Sequence, residues 1–471
     1  MYYRLNDDYA LRAWKFVNHV VYHRYSPNPI RVDEETFELL RHCDGEHDLE
    51  ESSELKKLAE QGVIASCEKG EQSSEWSRYK KYEHRCVPEM NLMLTGKCNY
   101  NCIHCFNSAD NVDRMGEWDY DELLDFFDQA ADCGIHSITL TGGEPMFHPR
   151  FNDIVRAIYE RNMVLEKLTT NGFFIKQDTL DLFKELNAKP EIKISFDGVG
   201  YHDWMRGGKG AEEDAMRAFR LCADNGFRIF AQTQVNRRNL ASMKDTIRML
   251  EDIGVTTMRI IRTTYSLRLG KTGPEVILPI EDYFSEMLDL AEWYMKGDHK
   301  MNLIFWLYLM LFPKEKSYKC VMDQRPDGSY RPTAPVCAGN RKMMAVSCEG
   351  NVIPCLQMCD YLAQRGQTFD SLKERRLTDI LQSGKWLDAV CKNHYWLRQQ
   401  NKMCDACEWF GHCGGGCRML GILDGFEQTG EYDYSFSDPL ACLFFKGGWY
   451  DRVKERLNDY EIKGAIKNEN N

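Results

Sequence analysis

Nineteen cysteines stand in this 471-residue chain, and two sets of them are spaced for metal chemistry. Cys98, Cys102 and Cys105 form C-x3-C-x2-C, and Cys404, Cys407, Cys413 and Cys417 form C-x2-C-x5-C-x3-C. Thiolates this close in sequence can converge on one metal centre from a single loop. Three thiolates rather than four would leave a cubane iron–sulfur cluster with one iron open to another molecule. Cys337, Gly350 and Cys355 lie upstream of the second set and Cys442 downstream. A zinc loop for the first set and paired structural zinc sites for the second are the plain alternatives.

The elements that must position these residues follow from hydrophobic pattern. Short apolar runs at Asn91–Leu94, Ser137–Leu140, Leu165–Thr169, Ile192–Phe196, Ile229–Val235 and Met258–Arg262 read as buried strands. Helical stretches alternate with them at Tyr120–Cys133, Phe151–Arg161, Leu180–Leu186, Glu212–Asn225 and Ser242–Ile253. Gly134, Gly226 and Gly254 follow three of these as C-caps. Such alternation with short loops predicts parallel strands and right-handed crossovers, an α/β sheet or partial barrel.

Ligands of such folds gather at the C-terminal ends of the strands. The cysteine triad follows the first strand. The second ends Thr141-Gly142-Gly143-Glu144-Pro145, where paired glycines let backbone approach a ligand and Glu144 can accept from an amine. The third ends Thr169-Thr170-Asn171-Gly172, and the fourth Ser195-Phe196-Asp197-Gly198, with His202, Asp203 and Arg206 just beyond. The fifth carries Gln232, Gln234 and Asn236. Each is a turn signal by itself; in series on one rim they mark a site.

From about Tyr265 the alternation is lost. Helices are expected over Ile280–Lys296 and Met301–Phe312, the second as a buried helix holding the apolar run Leu303–Phe312. That run falls short of the roughly 20 residues that span a bilayer. The cysteine- and glycine-rich remainder cannot build a large apolar core and needs metal sites to organise it. The first 85 residues read as a small module. Strands are expected at Tyr2–Leu5, Val20–Arg24 and Pro29–Val32, helices at Glu34–Cys43 and Glu54–Gln61, and a charged linker over Glu68–His84.

Composition narrows the class. Sixty Lys+Arg against 72 Asp+Glu leave a net charge of −12, which gives no electrostatic case for nucleic acid or an anionic membrane as partner. Apolar residues at 43% and charged residues at 28% are an ordinary globular balance. No basic segment followed by an apolar stretch opens the chain. The expectation is a cytoplasmic protein, where disulfides rarely persist and thiols in number mean metal or redox chemistry.

The cysteine triad, the GGEP, the TNG and the SFDG, in this order on βα units, resemble the radical S-adenosylmethionine (SAM) superfamily over about residues 90–264. His104 and Phe106 flank the third cysteine, whereas the family often has an aromatic just before it. The resemblance implies a [4Fe–4S] cluster on Cys98, Cys102 and Cys105 whose open iron chelates SAM. One electron passed to the sulfonium would then leave a 5′-deoxyadenosyl radical that abstracts hydrogen from substrate. It assigns Gly142, Gly143, Glu144 and Pro145 to the methionyl amine, and Ser195 and Arg206 as further SAM contacts. Asn171 and Gln234 are rim positions facing the cofactor.

The second constellation, C-x12-G-x4-C, gap, C-x2-C-x5-C-x3-C, gap, C, resembles the SPASM domain found after radical SAM barrels in peptide- and protein-modifying enzymes. This implies two auxiliary [4Fe–4S] clusters, three in all. Cys404, Cys407, Cys413 and Cys442 would hold the outer one, and Cys337, Cys355 and Cys417 the inner one. Cys320 is the candidate eighth ligand, with Cys348, Cys359 or an open iron as alternatives. Cys43, Cys67, Cys86, Cys133, Cys222 and Cys391 are left as structural.

Residues 1–85 resemble, more weakly, winged-helix-like modules that recognise leader peptides; an accessory or dimerisation domain is the alternative. The expected architecture is thus a partial (β/α)6 TIM-type barrel with an N-terminal α+β module and a C-terminal iron–sulfur domain. The expected divisions are 1–85, a barrel over 86–265, a helical bridge over 266–330, the SPASM-like domain over 331–450 and a tail over 451–471. The implied function is modification of a ribosomally synthesised precursor peptide through a thioether or C–C crosslink. Residues 1–85 would bind the leader, and a flavodoxin or ferredoxin would supply electrons. Formylglycine formation, as in sulfatase maturases, is disfavoured because Leu356 follows Cys355 where those enzymes often have Asp. Peptide epimerisation, which needs a thiol donor, and a non-catalytic zinc-stabilised peptide-binding module complete the alternatives.

Overall fold

A twelve-stranded sheet forms the body of the molecule, and its middle is the predicted series of βα units. The computed structural model describes residues 1–105, 116–264, 266–337, 343–356 and 367–460. Phe106, Tyr265, Cys359 and the end of the expected tail lie outside them.

The N-terminal strands are β1 (Tyr2–Leu5), β2 (Tyr9–Trp14), β3 (Val17–His23), β4 (Ile30–Arg31), β5 (Ile64–Cys67) and β6 (Lys80–Tyr82). Helices α1 (Glu34–His42) and α2 (Ser53–Glu60) complete the module, and Asp33 and Ser52 cap them from their side-chain oxygens. The Glu68–His84 segment is not a free linker. Its β6 pairs in parallel with β2, and Arg12 donates to the carbonyls of Trp76 and Arg78, because a buried guanidinium must find acceptors.

The central strands are β7 (Glu89–Met93), β8 (Ser137–Thr141), β9 (Val164–Thr170), β10 (Glu191–Ser195), β11 (Ile229–Val235) and β12 (Thr257–Arg262), paired in parallel in sequence order. Helices α3 (Tyr120–Asp132), α4 (Phe151–Glu160), α5 (Gln177–Glu185), α6 (His202–Arg206), α7 (Ala211–Asp224) and α8 (Met243–Ile253) connect them. Ile138, Leu140, Ile192, Ile194, Met258 and Ile260 pack with the helices in the main core, so alternate residues turn to the opposite, inner face. The sheet does not close. It is a partial barrel.

The expected helix over Met301–Phe312 is instead two strands, β13 (Asn302–Phe305) and β14 (Leu309–Phe312), followed by β15 (Ser317–Cys320). A short, continuous apolar run has no readable period. Here its burial alternates, and β13 finds a partner in β12, beside which it lies in parallel. The expected helical bridge is therefore the short α9 (Leu267–Thr272), α10 (Ile280–Lys296) and a strand extension of the barrel sheet. At the other edge β16 (Met343–Val346) pairs in parallel with β7, followed by β17 (Asn351–Ile353) and β18 (Asp370–Ser371). The barrel sheet thus runs past residue 265 on both sides. Nor does a tail begin at 451: Val453 and Leu457 are buried, and Arg456 pairs with Asp289 and Glu292 of α10.

The N-terminal module docks on the barrel at the N-terminal end of β8. Tyr22 stacks on His136 at 4.2 Å and donates its hydroxyl to the Gly134 carbonyl. His136 Nε2 donates to the Ser26 and His23 carbonyls at 2.8 and 3.2 Å. A side chain at Gly134 would run into Tyr82 and Trp14, and its φ of +73° already requires glycine. Burial pushes His136 down from 6.5 to about 4. The unfolded chain therefore binds the extra proton between about 6.5 and 4, and stability falls as pH is lowered through that window. His136→Gln, which keeps a donor but cannot charge, is expected to remove about 2 kcal/mol of the stability loss between pH 7 and pH 5. Denaturant unfolding of both proteins at pH 7 and pH 5 checks it.

Candidate active site

The C-terminal rim of β7–β11 gathers the first set of predicted residues. Cys98 and Cys102 are buried and Cys105 half-buried in the loop after β7. Two backbone bonds hold that loop to α6, from Asn101 N to the Arg206 carbonyl and from Ile103 N to the Met205 carbonyl. Asn171 stands against Cys98, its Nδ2 3.9 Å from the sulfur and 2.8 Å from Asn99 Oδ1. Burial pushes the Cys98 thiol up to about 12, with Glu144 adding to it. Such a thiol is a poor free nucleophile and ionises when a cationic centre claims it.

The glycine pair serves the chain first. A Cβ on Gly143 would lie 2.2 Å from the Lys97 carbonyl oxygen, and one on Gly142, at φ +150°, would lie 2.4 Å from that of Thr95. The close approach expected for a ligand is thus also an approach of the rim to the cysteine loop, sealed by bonds from Gly143 N to Thr95 O and Glu144 N to Lys97 O. Glu144 is fully buried and accepts from Thr170 Oγ1, Asn171 N and Met146 N. The expected amine acceptor is already a staple between the ends of β8 and β9. Burial raises it from 4.5 to about 7, against those hydrogen bonds. Pro145 opens the turn that follows.

Ser195 ends β10 opposite Gln232, and Gln234 lies one inner-face position further along β11. Arg206 ion-pairs with Asp197 at 2.8 Å and sets its Nη1 3.6 Å from Cys102 Sγ. It therefore faces a sulfur ligand position as well as the space expected to take a carboxylate. Asp197, fully buried, also accepts from Gln234 N at 2.8 Å, while its own N–H donates to His202 Nδ1. Burial acts to raise Asp197, yet Arg206, His104 and His202 outweigh it and hold the carboxyl well below the usual range. Asp197 and His202 stand on the expected rim but carry no role in the sequence reading, and Asn99 is not part of it. The visible signal was a charged residue inside an apolar strand end, Ser195-Phe196-Asp197-Gly198.

The donor set fits an iron–sulfur cluster and its ligand. Besides the thiols, Asn99 Nδ2, His104 Nδ1, His202 Nε2 and Arg206 Nε are buried around this loop without a hydrogen-bond partner among the described residues. Polar atoms are rarely orphaned in this way unless a further group completes them.

The second set falls in two places. Cys404, Cys407, Cys413 and Cys442 line one small pocket together with Trp409, Phe410 and Phe445. Cys417 is not among its lining residues and lies near Cys355 and Cys337; burial first, then Asp438 and these two thiols, pushes its thiol up to about 12. The switch occurs across Gly414, Gly415 and Gly416, all at left-handed φ (+56°, +89°, +71°), a run that only glycine adopts readily. Asp438 ties the two groups, accepting from Cys417 N with its carboxylate and from Cys442 N with its carbonyl. Cys320 lies elsewhere, beside Tyr308, Asp323 and Lys454, and Cys348 packs near Gly116. Among the described residues no three His, Cys, Asp or Glu side chains close on a point as a single ion requires.

The Arg206–Asp197 pair predicts a measurable coupling. Arg206→Gln should destabilise the chain by roughly 3–5 kcal/mol, because it strands a buried carboxylate. Adding Asp197→Asn should recover part of that loss, as read from denaturant midpoints in a double-mutant cycle.

Comparison with known proteins agrees with this geometry. Residues 92–250 match the radical SAM superfamily. The chain is 24% identical to an AdoMet-dependent heme synthase of Methanosarcina barkeri, over 75% of this chain and 95% of that protein. It is 24% identical to the subtilosin biosynthesis protein AlbA of Bacillus subtilis, over 70% and 66%, and 24% to a PqqA peptide cyclase of Granulibacter bethesdensis, over 76% and 88%. Among solved structures, Streptococcus suis SuiB bound to its precursor peptide SuiA superposes with a TM-score of 0.60 at 15% identity, covering 93% of this chain and 99% of SuiB. No helix among the described residues is long and apolar enough to cross a membrane. Residues 92–250 thus form a radical SAM domain, and the chain is an enzyme with peptide maturases among its homologues.

Proposed function

We propose that this enzyme carries three [4Fe–4S] clusters and SAM and modifies a residue of a ribosomally synthesised precursor peptide, forming a thioether or C–C crosslink. The observation that carries the reading is the division of ten thiols among three locations, on the barrel rim, in the Trp409 cavity and beside Cys417. Cys98, Cys102 and Cys105 would hold the first cluster, Cys404, Cys407, Cys413 and Cys442 the outer auxiliary one, and Cys337, Cys355 and Cys417 the inner one. When bound, the first cluster and SAM supply a one-electron cleavage that yields the hydrogen-abstracting 5′-deoxyadenosyl radical.

The chain's own residues keep that chemistry in place. Asn171 and Arg206 set donors against Cys98 and Cys102, and Glu144 locks the rim on which Ser195 and Gln234 stand ready for SAM. A peptide substrate is favoured by relatives named for peptide cyclisation and bacteriocin biosynthesis. The SuiB match adds support, since its 93% coverage takes in most of residues 1–85. In this reading that module binds the leader, and a flavodoxin or ferredoxin delivers the electron. The heme synthase relative supports a tetrapyrrole substrate as the second reading.

Anaerobic reconstitution should yield about twelve irons with matching sulfide per chain and 5′-deoxyadenosine under reductant. Zinc without sulfide would refute the reading. Co-expression with the short open reading frame beside the gene should give a peptide lighter by two hydrogens per crosslink. An unmodified peptide, with an iron coproporphyrin turned over instead, would select the second reading.

Gly143→Ala is expected to displace the cysteine loop, because the added methyl collides with the Lys97 carbonyl. Iron should fall from about twelve to about eight, with the auxiliary clusters retained.

A further inference from the structure

The inner face of the barrel carries two cations that its own acids do not balance. Lys193 on β10 is only 9% exposed, yet its Nζ makes no hydrogen bond or ion pair with a described residue. It lies over the Phe230 ring of β11 at 4.8 Å. Arg259 on β12 approaches the same ring at 5.0 Å and the Trp306 ring, just past β13, at 4.7 Å. The two charges are thus within about 10 Å of one another, interleaved with aromatic rings. Arg259 Nε is buried without a hydrogen-bond partner among the described residues.

The nearest acids hydrogen-bond to other cations, and Glu191 acts on Lys193 and Arg259 only at a distance. Glu166 pairs with Lys167, and Glu191 with Arg228 at 2.9 Å. Burial, with Arg259 next, pushes Lys193 down to about 7, and burial pushes Arg259 down to about 10, as befits cations lacking a counter-ion. Buried charge without a partner costs several kcal/mol, a cost that an entering anion offsets.

Position says what could reach them. Lys193 precedes Ser195 by two residues on the same strand face, and Phe230 precedes Gln232 and Gln234 likewise. At about 3.3 Å per residue the cations lie roughly 7 Å deeper than the Ser195 rim. An extended acidic side chain spans that depth, and Phe230 and Trp306 offer its methylene stem apolar walls.

We propose that Lys193 and Arg259 form an anion site inside the barrel that takes the side-chain carboxylate of an acidic residue in the substrate peptide. It rests on the peptide-maturase reading above and specifies the substrate for that enzyme: a precursor with Asp or Glu at or beside the modified position.

The test uses the full reconstituted chain and two matched probes, N-acetyl-Glu-N-methylamide and N-acetyl-Gln-N-methylamide, titrated by ligand-observed NMR. The Glu probe should bind at least tenfold more tightly. That preference should vanish in Lys193→Met and in Arg259→Met and survive in Lys193→Arg. Lys193→Met should also raise the thermal midpoint, since it removes an unpaired buried charge, so loss of binding will not reflect loss of fold. Equal binding of both probes, a preference untouched by either Met variant, or equal displacement by inorganic phosphate would overturn the proposal. The same wild-type preparation is assayed for 5′-deoxyadenosine. Its formation without a Glu preference sinks the carboxylate site alone, whereas turnover of an iron coproporphyrin in place of a peptide sinks the peptide-maturase reading on which the site rests.

Discussion

One buried carboxylate holds the active-site rim together. Asp197 leaves the end of β10 with no access to solvent, and it is kept ionised by the guanidinium of Arg206. Through Gln234 N it fixes the end of β11, and through Arg206 it reaches the sulfur of Cys102. The Arg206 and Met205 carbonyls in turn receive the backbone of the cysteine loop. Two strand ends, a helix and a thiol loop therefore share one electrostatic joint. In a low-dielectric interior its strength depends on every partner being present.

The same logic, with thiols in place of carboxylates, runs through the C-terminal part. Its own apolar cluster is small, built on Val336, Leu397, Phe410, Met419 and Ile422, with several cysteines packed among them. The expected shortage of apolar core is only partly met by the barrel. Phe444, Phe445, Trp449 and Tyr450 pack against the main core through Phe284 and Tyr308. The rest is tied by polar knots: Asp438 across the two thiol groups, and Asp323 between His412 and Tyr450. Four thiols line one pocket, and burial pushes those of Cys404, Cys413 and Cys442 upward.

Stability and function pull apart on the inner face of the barrel. The outer face of each strand is aliphatic and packs on helices, whereas the inner face carries Lys193, Arg259 and the rim amides. A fold selected for stability alone would fill that space with branched apolar side chains, as barrels do. Here the space is kept polar and charged, at a stability cost that only a bound ligand offsets.

Much of this was legible in the sequence. The six central strands and four of the five expected helices fall within a residue or two of their bounds, while α5 begins three residues early and the short α6 was not expected. Strands buried between layers carry apolar runs that glycine-capped amphipathic helices separate. The spacing of Cys98, Cys102 and Cys105 on one loop was equally plain. What pattern could not decide was partnership. Leu303–Phe312 is apolar throughout, and it is strand rather than helix because β12 offers an open edge. Lys80–Tyr82 reads as charged linker but pairs with β2. Lys193 and Arg259 stand out in apolar strands, yet only the register across β10–β12 brings them to a single aromatic ring. The sequence by itself determined which segments are strands of a βα series and which residue types could bind metal. Local periodicity and spacing are properties of neighbours in the chain. Tertiary structure alone decided that Glu144 and Asp197 are joints and that two cations meet inside the barrel. Those facts depend on contacts between residues far apart in sequence, which only the packed sheet defines.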